Sequence, residues 1–293
     1  MAELAVLKTY KIFIGGAFPR TESGRYYKLQ NAQKQTIANV CLSSRKDFRN
    51  AVVAARKAQE AWQGRAAFNK AQIVYRIAEI LEGRRQQFVQ ELVLQGYATA
   101  AAQKEVQASI DACVHYAGWC DKYQAITSSV NPVASSHFNF SVPEPMGVLS
   151  LIADNNSGLL ALVVAVLASI VGGNTVVALA SEKYPLCAVS FAEVLATSDV
   201  PGGIINIITG KQSELHKHMA NHMDVNAIVY CGSDAVMYKE IAALSSLNVK
   251  RSFNWQHNWQ QYSSFSLESI SQLQEIKTTW HPIENIGVSG AKY

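Results

Sequence analysis

Gly147-Val-Leu-Ser-Leu-Ile-Ala153 is a continuous apolar run, and three more of the same kind follow: Asn174-Thr-Val-Val-Ala-Leu179, Gly203-Ile-Ile-Asn-Ile-Ile208 and Val225-Asn-Ala-Ile-Val-Tyr230. Each is rich in β-branched and aliphatic residues on both strand faces, the composition of a strand covered by helices on either side. Between the first two lies Leu159-Leu-Ala-Leu-Val-Val-Ala-Val-Leu-Ala-Ser-Ile-Val171, too long for a strand and apolar all round, which reads as a buried helix. Gly172-Gly173 ends it, because a residue without a Cβ can take the left-handed cap conformation. Strand and helix alternate through Val236, so the expected core is a doubly wound α/β sheet with its ligand crevice at the carboxyl ends of the strands.

Upstream, Lys11-Ile-Phe-Ile-Gly-Gly-Ala-Phe18 alternates around a Gly-Gly turn and is expected to form the first arm of a β hairpin, with Thr36-Ile-Ala-Asn-Val-Cys41 as a second strand. Ser44 or Asp47 caps a helix running to Trp62. Helical periodicity continues over Ala66–Leu81, Arg84–Gln95 and Ala100–Ala125. After the polar loop Ser128–Pro132, His137-Phe-Asn-Phe-Ser-Val142 is an exposed alternating strand suited to pairing with another subunit. Downstream, Ala235–Leu247 reads as a helix, Ser266–Glu275 as a short one and Ile276–Trp280 as a terminal strand. The expected division is residues 1–130, hairpin and helical array; 131–145, oligomerisation strand; 146–254, Rossmann-like α/β core; and 255–293, a short tail.

At 293 residues, with 49% hydrophobic and 16% charged, the chain has the composition of a globular protein. Its net charge of +4 is mild and its basic residues come in pairs such as Arg84-Arg85, so no nucleic-acid partner is expected. The amino terminus lacks a secretory pattern and Leu159–Val171 is too short to span a bilayer, so the expected setting is the cytoplasm, without a membrane. The five cysteines, Cys41, Cys113, Cys120, Cys187 and Cys231, show no CxxC spacing and are expected to be reduced thiols. Cys113, His115 and Cys120 do not stack on one helical face, so no metal is expected.

No GxGxxG follows the first strand and no turn matches a Walker loop. Gly232-Ser233, between a strand and a helix, is the turn best placed to meet an anion such as a pyrophosphate. The segment Gly173-Asn-Thr-Val-Val-Ala-Leu-Ala-Ser-Glu-Lys-Tyr-Pro185 resembles the GNTVVxKPSExTP motif of the aldehyde dehydrogenase superfamily. Val200–Gly210 is similar to its xPxGVxNVVxG segment, Tyr230-Cys-Gly-Ser-Asp234 to FTGST, and Pro145–Gly158 to PxGVVGVIxPWNFP. The resemblance runs from about Tyr10 to Arg251. It implies a cofactor-type Rossmann-like domain with NAD or NADP as the dinucleotide. It also implies Glu182 at the adenosine ribose, Gly232 and Ser233 at the pyrophosphate, and Asn156 at the oxyanion. Each has a plain structural alternative: Glu182 as a cap, Asn156 as a loop brace, Gly232-Ser233 as a helix start.

The departures bear on function. Leu179 replaces the motif lysine, and Asp154-Asn155-Asn156-Ser157-Gly158 replaces the apolar PWNFP loop, which argues against cofactor use. Trp255 or a neighbour stands at the general-base glutamate of LELGGK, and no cysteine follows Arg251. Lys277-Thr-Thr-Trp280 and Gly287-Val-Ser-Gly290 resemble the family's closing strand and loop, so the catalytic domain is cut out between sheet and tail. The layout resembles the second, non-catalytic half of family 16 aldehyde dehydrogenases. It implies a pseudoenzyme, a structural or regulatory partner forming a homo-oligomer or a hetero-oligomer with a full-length aldehyde dehydrogenase. The alternatives are a divergent NAD(P)-dependent aldehyde oxidoreductase, active alone or with a partner subunit, and a non-catalytic dinucleotide-binding module.

Overall fold

The computed structural model describes residues 7–259 and 265–283. Its centre is an all-parallel sheet of five strands in the order β10-β9-β6-β7-β8. The four apolar runs form β6 (Val148–Ile152), β7 (Thr175–Leu179), β8 (Ile205–Ile208) and β9 (Ala227–Tyr230), all completely buried. The fifth, β10 (Arg251–Asn254), was not expected, because a polar edge strand carries no apolar run.

The period of two along each strand sorts side chains to two faces. Val148, Ile152, Val177 and Leu179 pack with Phe48, Val52 and Ala55 of α1 (Arg45–Gln63) and with the apolar sides of α8 (Gln212–Asn221) and α9 (Ala235–Ser246). Leu149, Leu151, Val176, Ala178, Ile205 and Ile207 pack on the other side. There they meet α2 (Ala67–Gly83), α3 (Arg85–Leu94), α4 (Thr99–Ala117), α6 (Leu160–Val171) and α7 (Leu186–Ala196). Every residue of α6 is buried, as its unbroken apolar surface requires. The pattern expected over Ala100–Ala125 is interrupted: α4 ends at Ala117, and α5 (Tyr123–Thr127) is a separate turn. At the end of α6 Gly173 takes φ +92°, while Gly172 stays right-handed and lies so close to the Gln274 side chain that a Cβ there would overlap it.

The amino-terminal hairpin keeps the expected strand Thr36–Cys41 but pairs it with a different first arm. β2 (Tyr26–Gln30) pairs antiparallel with β3 (Thr36–Cys41), and β1 (Thr9–Tyr10) adds to β3 in parallel. Lys11–Phe18 is not an arm of that hairpin, because the edge of β8 captures it: Phe13 N donates to Ile207 O and Ile207 N to Phe13 O, both at 2.8 Å. An open sheet edge offers unpaired backbone groups, and this segment closes one.

A third sheet has the order β11-β5-β4. β4 (Ser129–Asn131) and β11 (Gln274–Pro282) flank β5 (His137–Pro145), with β11 and β5 antiparallel in register from Gln274 opposite Pro145 to Pro282 opposite His137. The expected helix over Ser266–Glu275 shrinks to α10 (Leu267–Ser271), because Gln274 and Glu275 join this ladder. The expected closing loop Gly287–Gly290 lies outside the described residues. Among the described residues no helix is long and apolar enough to cross a membrane.

Candidate functional site

The loops after β6, β9 and β10 enclose a cavity of about 430 Å³ at the carboxyl ends of the strands. Glu105, Asp154, Asn156, Cys231, Ser233 and His257 are among the residues that line it. Asn156 and Ser233 come together there, whereas Glu182 and Gly232 do not line it.

The loop after β6 is polar but tightly braced. Asp154 Oδ1 accepts from Asn156 N at 3.0 Å and from Asn156 Nδ2 at 3.2 Å, which takes up one of the two N–H donors of the amide that the resemblance assigned to an oxyanion. Asn155 Oδ1 accepts from Glu182 N at 2.8 Å and Ser181 Oγ at 3.2 Å, tying this loop to the one after β7. Tyr97 Oη accepts from Gly158 N at 2.9 Å.

Three helices begin around the crevice, and in each the free N–H groups meet a carboxylate of the chain itself. At α6, buried Glu105 Oε1 accepts from Leu159 N at 2.8 Å, Leu160 N at 3.2 Å and Ser157 Oγ at 2.8 Å. At α8, Glu182 Oε1 accepts from Gln212 N. At α9, Asp234 Oδ1 accepts from Val236 N at 2.9 Å and Met237 N at 3.1 Å. Carboxylates are stabilised there by the unpaired N–H groups and the positive end of the helix dipole. Glu182 thus acts as a cap, the plain alternative weighed for it. Ser233 is exposed, and Gly232 lies under the Tyr230 ring, whose hydroxyl a Cβ at position 232 would approach to 2.5 Å. Tyr230 Oη accepts from Asp234 N at 3.3 Å, and burial followed by the charges of Asp234 and Asp154 raises its pKa. Two carboxylates therefore flank the position expected for a pyrophosphate.

Asp234 was legible in the sequence as an N-cap residue before a helical pattern, although it was not singled out. Glu105 was not, because it reaches α6 from α4, far away in sequence.

The groups available for covalent chemistry are poorly activated. Cys231 is 2% exposed, and burial, with Asp154 adding to it, pushes its thiol well above the ordinary cysteine range. Burial likewise raises Cys113 and Cys187, and brings Cys120 up to about 12. A nucleophilic thiol needs the opposite environment, with a cation or a base to hold the thiolate. Leu179, at the motif-lysine position, is fully buried and supplies no charge. Trp255, at the general-base position, is buried and donates its indole N–H to Gln272 Oε1 at 2.9 Å. His257 stands edge-on to Trp259 with ring centroids 5.2 Å apart, and burial lowers its pKa against the pull of Glu268. Among the described residues no group of three or more His, Cys, Asp or Glu is placed to hold a metal ion.

A comparison of the chain with known protein families matches residues 18–253 to the aldehyde dehydrogenase family. The chain belongs to that family. The cytosolic 10-formyltetrahydrofolate dehydrogenase of Mus musculus is 30% identical over 255 residues, 85% of this chain and 28% of the relative. The mitochondrial 10-formyltetrahydrofolate dehydrogenase of Homo sapiens is 29% identical over the same shares. Among solved structures, the NAD+ complex of an aldehyde dehydrogenase from Bacillus cereus superposes with a TM-score of 0.80 at 27% identity, covering 84% of this chain and 50% of that one. The chain spans about half the length of that structure and just over a quarter of the two relatives. Residues 255–273 are all that separate β10 from β11.

At the positions that the resemblance implies for a dinucleotide, the Asp234 and Asp154 carboxylates stand where a pyrophosphate would come, and Glu182 Oε1 already accepts from the α8 backbone.

Proposed function

We propose that the chain is a non-catalytic aldehyde dehydrogenase-like protein that acts as a structural or regulatory partner within a dehydrogenase oligomer in the cytoplasm, pairing with itself or with a full-length aldehyde dehydrogenase. The observation that carries this reading is the capping of the crevice helices α6, α8 and α9 by Glu105, Glu182 and Asp234, which occupies the anion sites from within. The buried, unactivated thiols and the apolar Leu179 support it. So does the β11-β5-β4 sheet, whose outer strands each keep an unpaired edge among the described residues and carry exposed Val130, Ile276 and Trp280. Such edges favour strand addition by a second chain. On this reading residues 131–145 form an oligomerisation strand, 146–254 the sheet core and 255–293 the tail.

A second reading, a divergent NAD(P)-dependent oxidoreductase, is favoured by one observation: Cys231, Asp154 and His257 line the same cavity. In it Asp154 would have to accept the thiol proton. The two readings part on one assay of the purified chain with NAD or NADP and a panel of aldehydes. The partner reading expects no turnover, together with a complex of more than one chain on co-purification and mass determination. Aldehyde oxidation that disappears in Cys231→Ala would overturn it.

A further inference from the structure

A pocket of about 260 Å³ lies between α1 and α8, and none of its residues belongs to the crevice cavity. Its lining sets an arginine pair opposite a histidine pair: Arg45 and Arg49, four apart on α1, and His218 in the last turn of α8 with His222 at its C-cap. Residues at this spacing share one face of a helix. Phe48 forms an apolar floor, packed edge-on against His222 with ring centroids 5.6 Å apart, and Asn221 adds an amide.

The carboxylates in reach are mostly engaged elsewhere. Glu214 pairs with Arg25 at 3.0 Å, Glu240 with Lys217 at 2.6 Å and His216 at 2.9 Å, and Asp47 accepts from Ser44 N and Glu22 N at 2.8 Å. Among the described residues the side chains of Arg45 and Arg49 make no ion pair and no hydrogen bond. Two exposed guanidinium groups lining one pocket without a side-chain counter-ion leave donors free for a shared anion. The carbonyl end of α8, which would repel an anion, is neutralised from below: Lys250 Nζ donates to Met219 O, Ala220 O and His222 O at 3.2, 2.7 and 2.8 Å.

We infer that this pocket is a binding site for a phosphoryl-type anion, a small tetrahedral dianion or its pyrophosphoryl equivalent, held by Arg45 and Arg49 and joined by His218 and His222 when these take up protons. The planar forks of two arginines match the several oxygens of a tetrahedral anion better than the two of a carboxylate. The concave shape and the small number of cations suit a soluble ligand rather than an extended polyanion. This inference is independent of the reading given to the crevice.

Both histidines are poised to report the ligand. Burial, then Arg45 and His216, lower the pKa of His218. Burial lowers that of His222, with Lys250, Arg45 and Arg49 acting in the same direction and Asp224 opposing them. Near neutrality both are therefore uncharged, and an anion entering beside them raises their pKa values and draws in protons. Affinity should then rise as pH falls.

The test is isothermal titration calorimetry of the full chain. Sulfate serves as a tetrahedral dianion whose own charge is constant from pH 8 to pH 5.5, and sodium pyrophosphate as the tighter probe at pH 7. The expected results are saturable one-to-one binding of both, sulfate affinity at least about tenfold higher at pH 5.5 than at pH 8, and net proton uptake seen as a dependence of enthalpy on the buffer. Arg45→Gln/Arg49→Gln should lose at least about tenfold in affinity at every pH, since the charge-assisted bonds to the anion are removed. His218→Gln/His222→Gln should keep the pH 7 affinity and lose the rise between pH 7 and pH 5.5 together with its proton uptake; Lys250, with a pKa of about 8, stays largely charged in that range. All four side chains are at least partly exposed, and a circular dichroism melt confirms that each variant is folded. No saturable binding at pH 5.5, binding untouched by the arginine pair, or a pH dependence between pH 7 and pH 5.5 that survives in the histidine pair would each overturn the site.

Discussion

Glu105 shows what one side chain contributes here. Its carboxylate is buried and accepts two backbone N–H groups of α6 together with the Ser157 hydroxyl. Hydrogen bonds to a buried charge are each worth about 1.5–3 kcal/mol, and Glu105→Gln keeps the shape while removing the charge. That variant is expected to lose roughly 1–3 kcal/mol of unfolding free energy in a urea titration, and an unchanged midpoint would remove Glu105 from the capping role. Lys250 gives a prediction in pH. Burial lowers its pKa to about 8 from an ordinary 10.5, although three carbonyls hold the ammonium. Between about pH 8 and pH 10.5 the unfolded chain therefore binds a proton at this lysine that the folded chain does not, so stability rises with pH across that window. Measured against Lys250→Met, the wild type should gain stability from pH 8 to pH 10, and a parallel pair of curves would contradict the shift. Neither role was legible in the sequence. Glu105 acts across the fold from α4 to α6, and Lys250 read only as half of a surface pair with Arg251.

At the scale of elements the sequence was most reliable where one physical requirement dominates. The four inner strands are buried on both faces and show it as unbroken apolar runs, and α6 shows it as an unbroken helix. Ser44 and Asp47 were legible as a helix start because their side chains form a reciprocal capping box. The failures were at edges. β10 is half-exposed and polar, and the Lys11–Phe18 segment alternates as a hairpin arm would, yet its backbone completes the edge of β8. Pairing partners are chosen by tertiary competition, which a local pattern does not contain. The β11-β5-β4 sheet is the element with most at stake for a partner role. Trp280 is 57% exposed and Phe138 46%, on strands that are already fully laddered to each other. The double variant Phe138→Lys/Trp280→Lys should lower the molar mass seen by light scattering towards that of one chain, with little change in melting temperature. A mass that stays above one chain would place self-association elsewhere, and a single-chain mass for the wild type would exclude the homo-oligomer.

At the scale of the whole molecule, the missing half of the family's chain and the resemblance in the strand-end loops were legible, while the electrostatics of the crevice were not. The sequence places Glu182, Gly232, Ser233 and Asn156 at the family's positions. The structure shows Glu182 bound to the α8 backbone, Asn156 to Asp154, and Gly232 beneath Tyr230. The difference arises because a carboxylate one residue further along, in another loop or on another helix decides whether a helix start is free to meet an anion. If the two carboxylates flanking Tyr230 are what keep a dinucleotide out, removing their charge should let one in. Asp234→Thr keeps an oxygen that can cap α9, and Asp154→Asn keeps the loop acceptor, so the fold should survive the exchange. In 5 mM NAD or NADP the wild type is expected to show no rise in melting temperature. The double variant should show a rise of a few degrees, since a ligand at 100 times its dissociation constant stabilises a fold by about 2.7 kcal/mol. A rise in the wild type equal to that of the variant would show that the carboxylates do not guard the crevice. It would also move the chain from an inert partner to a dinucleotide-binding one, because the charge of these two carboxylates would then not be what bars a pyrophosphate.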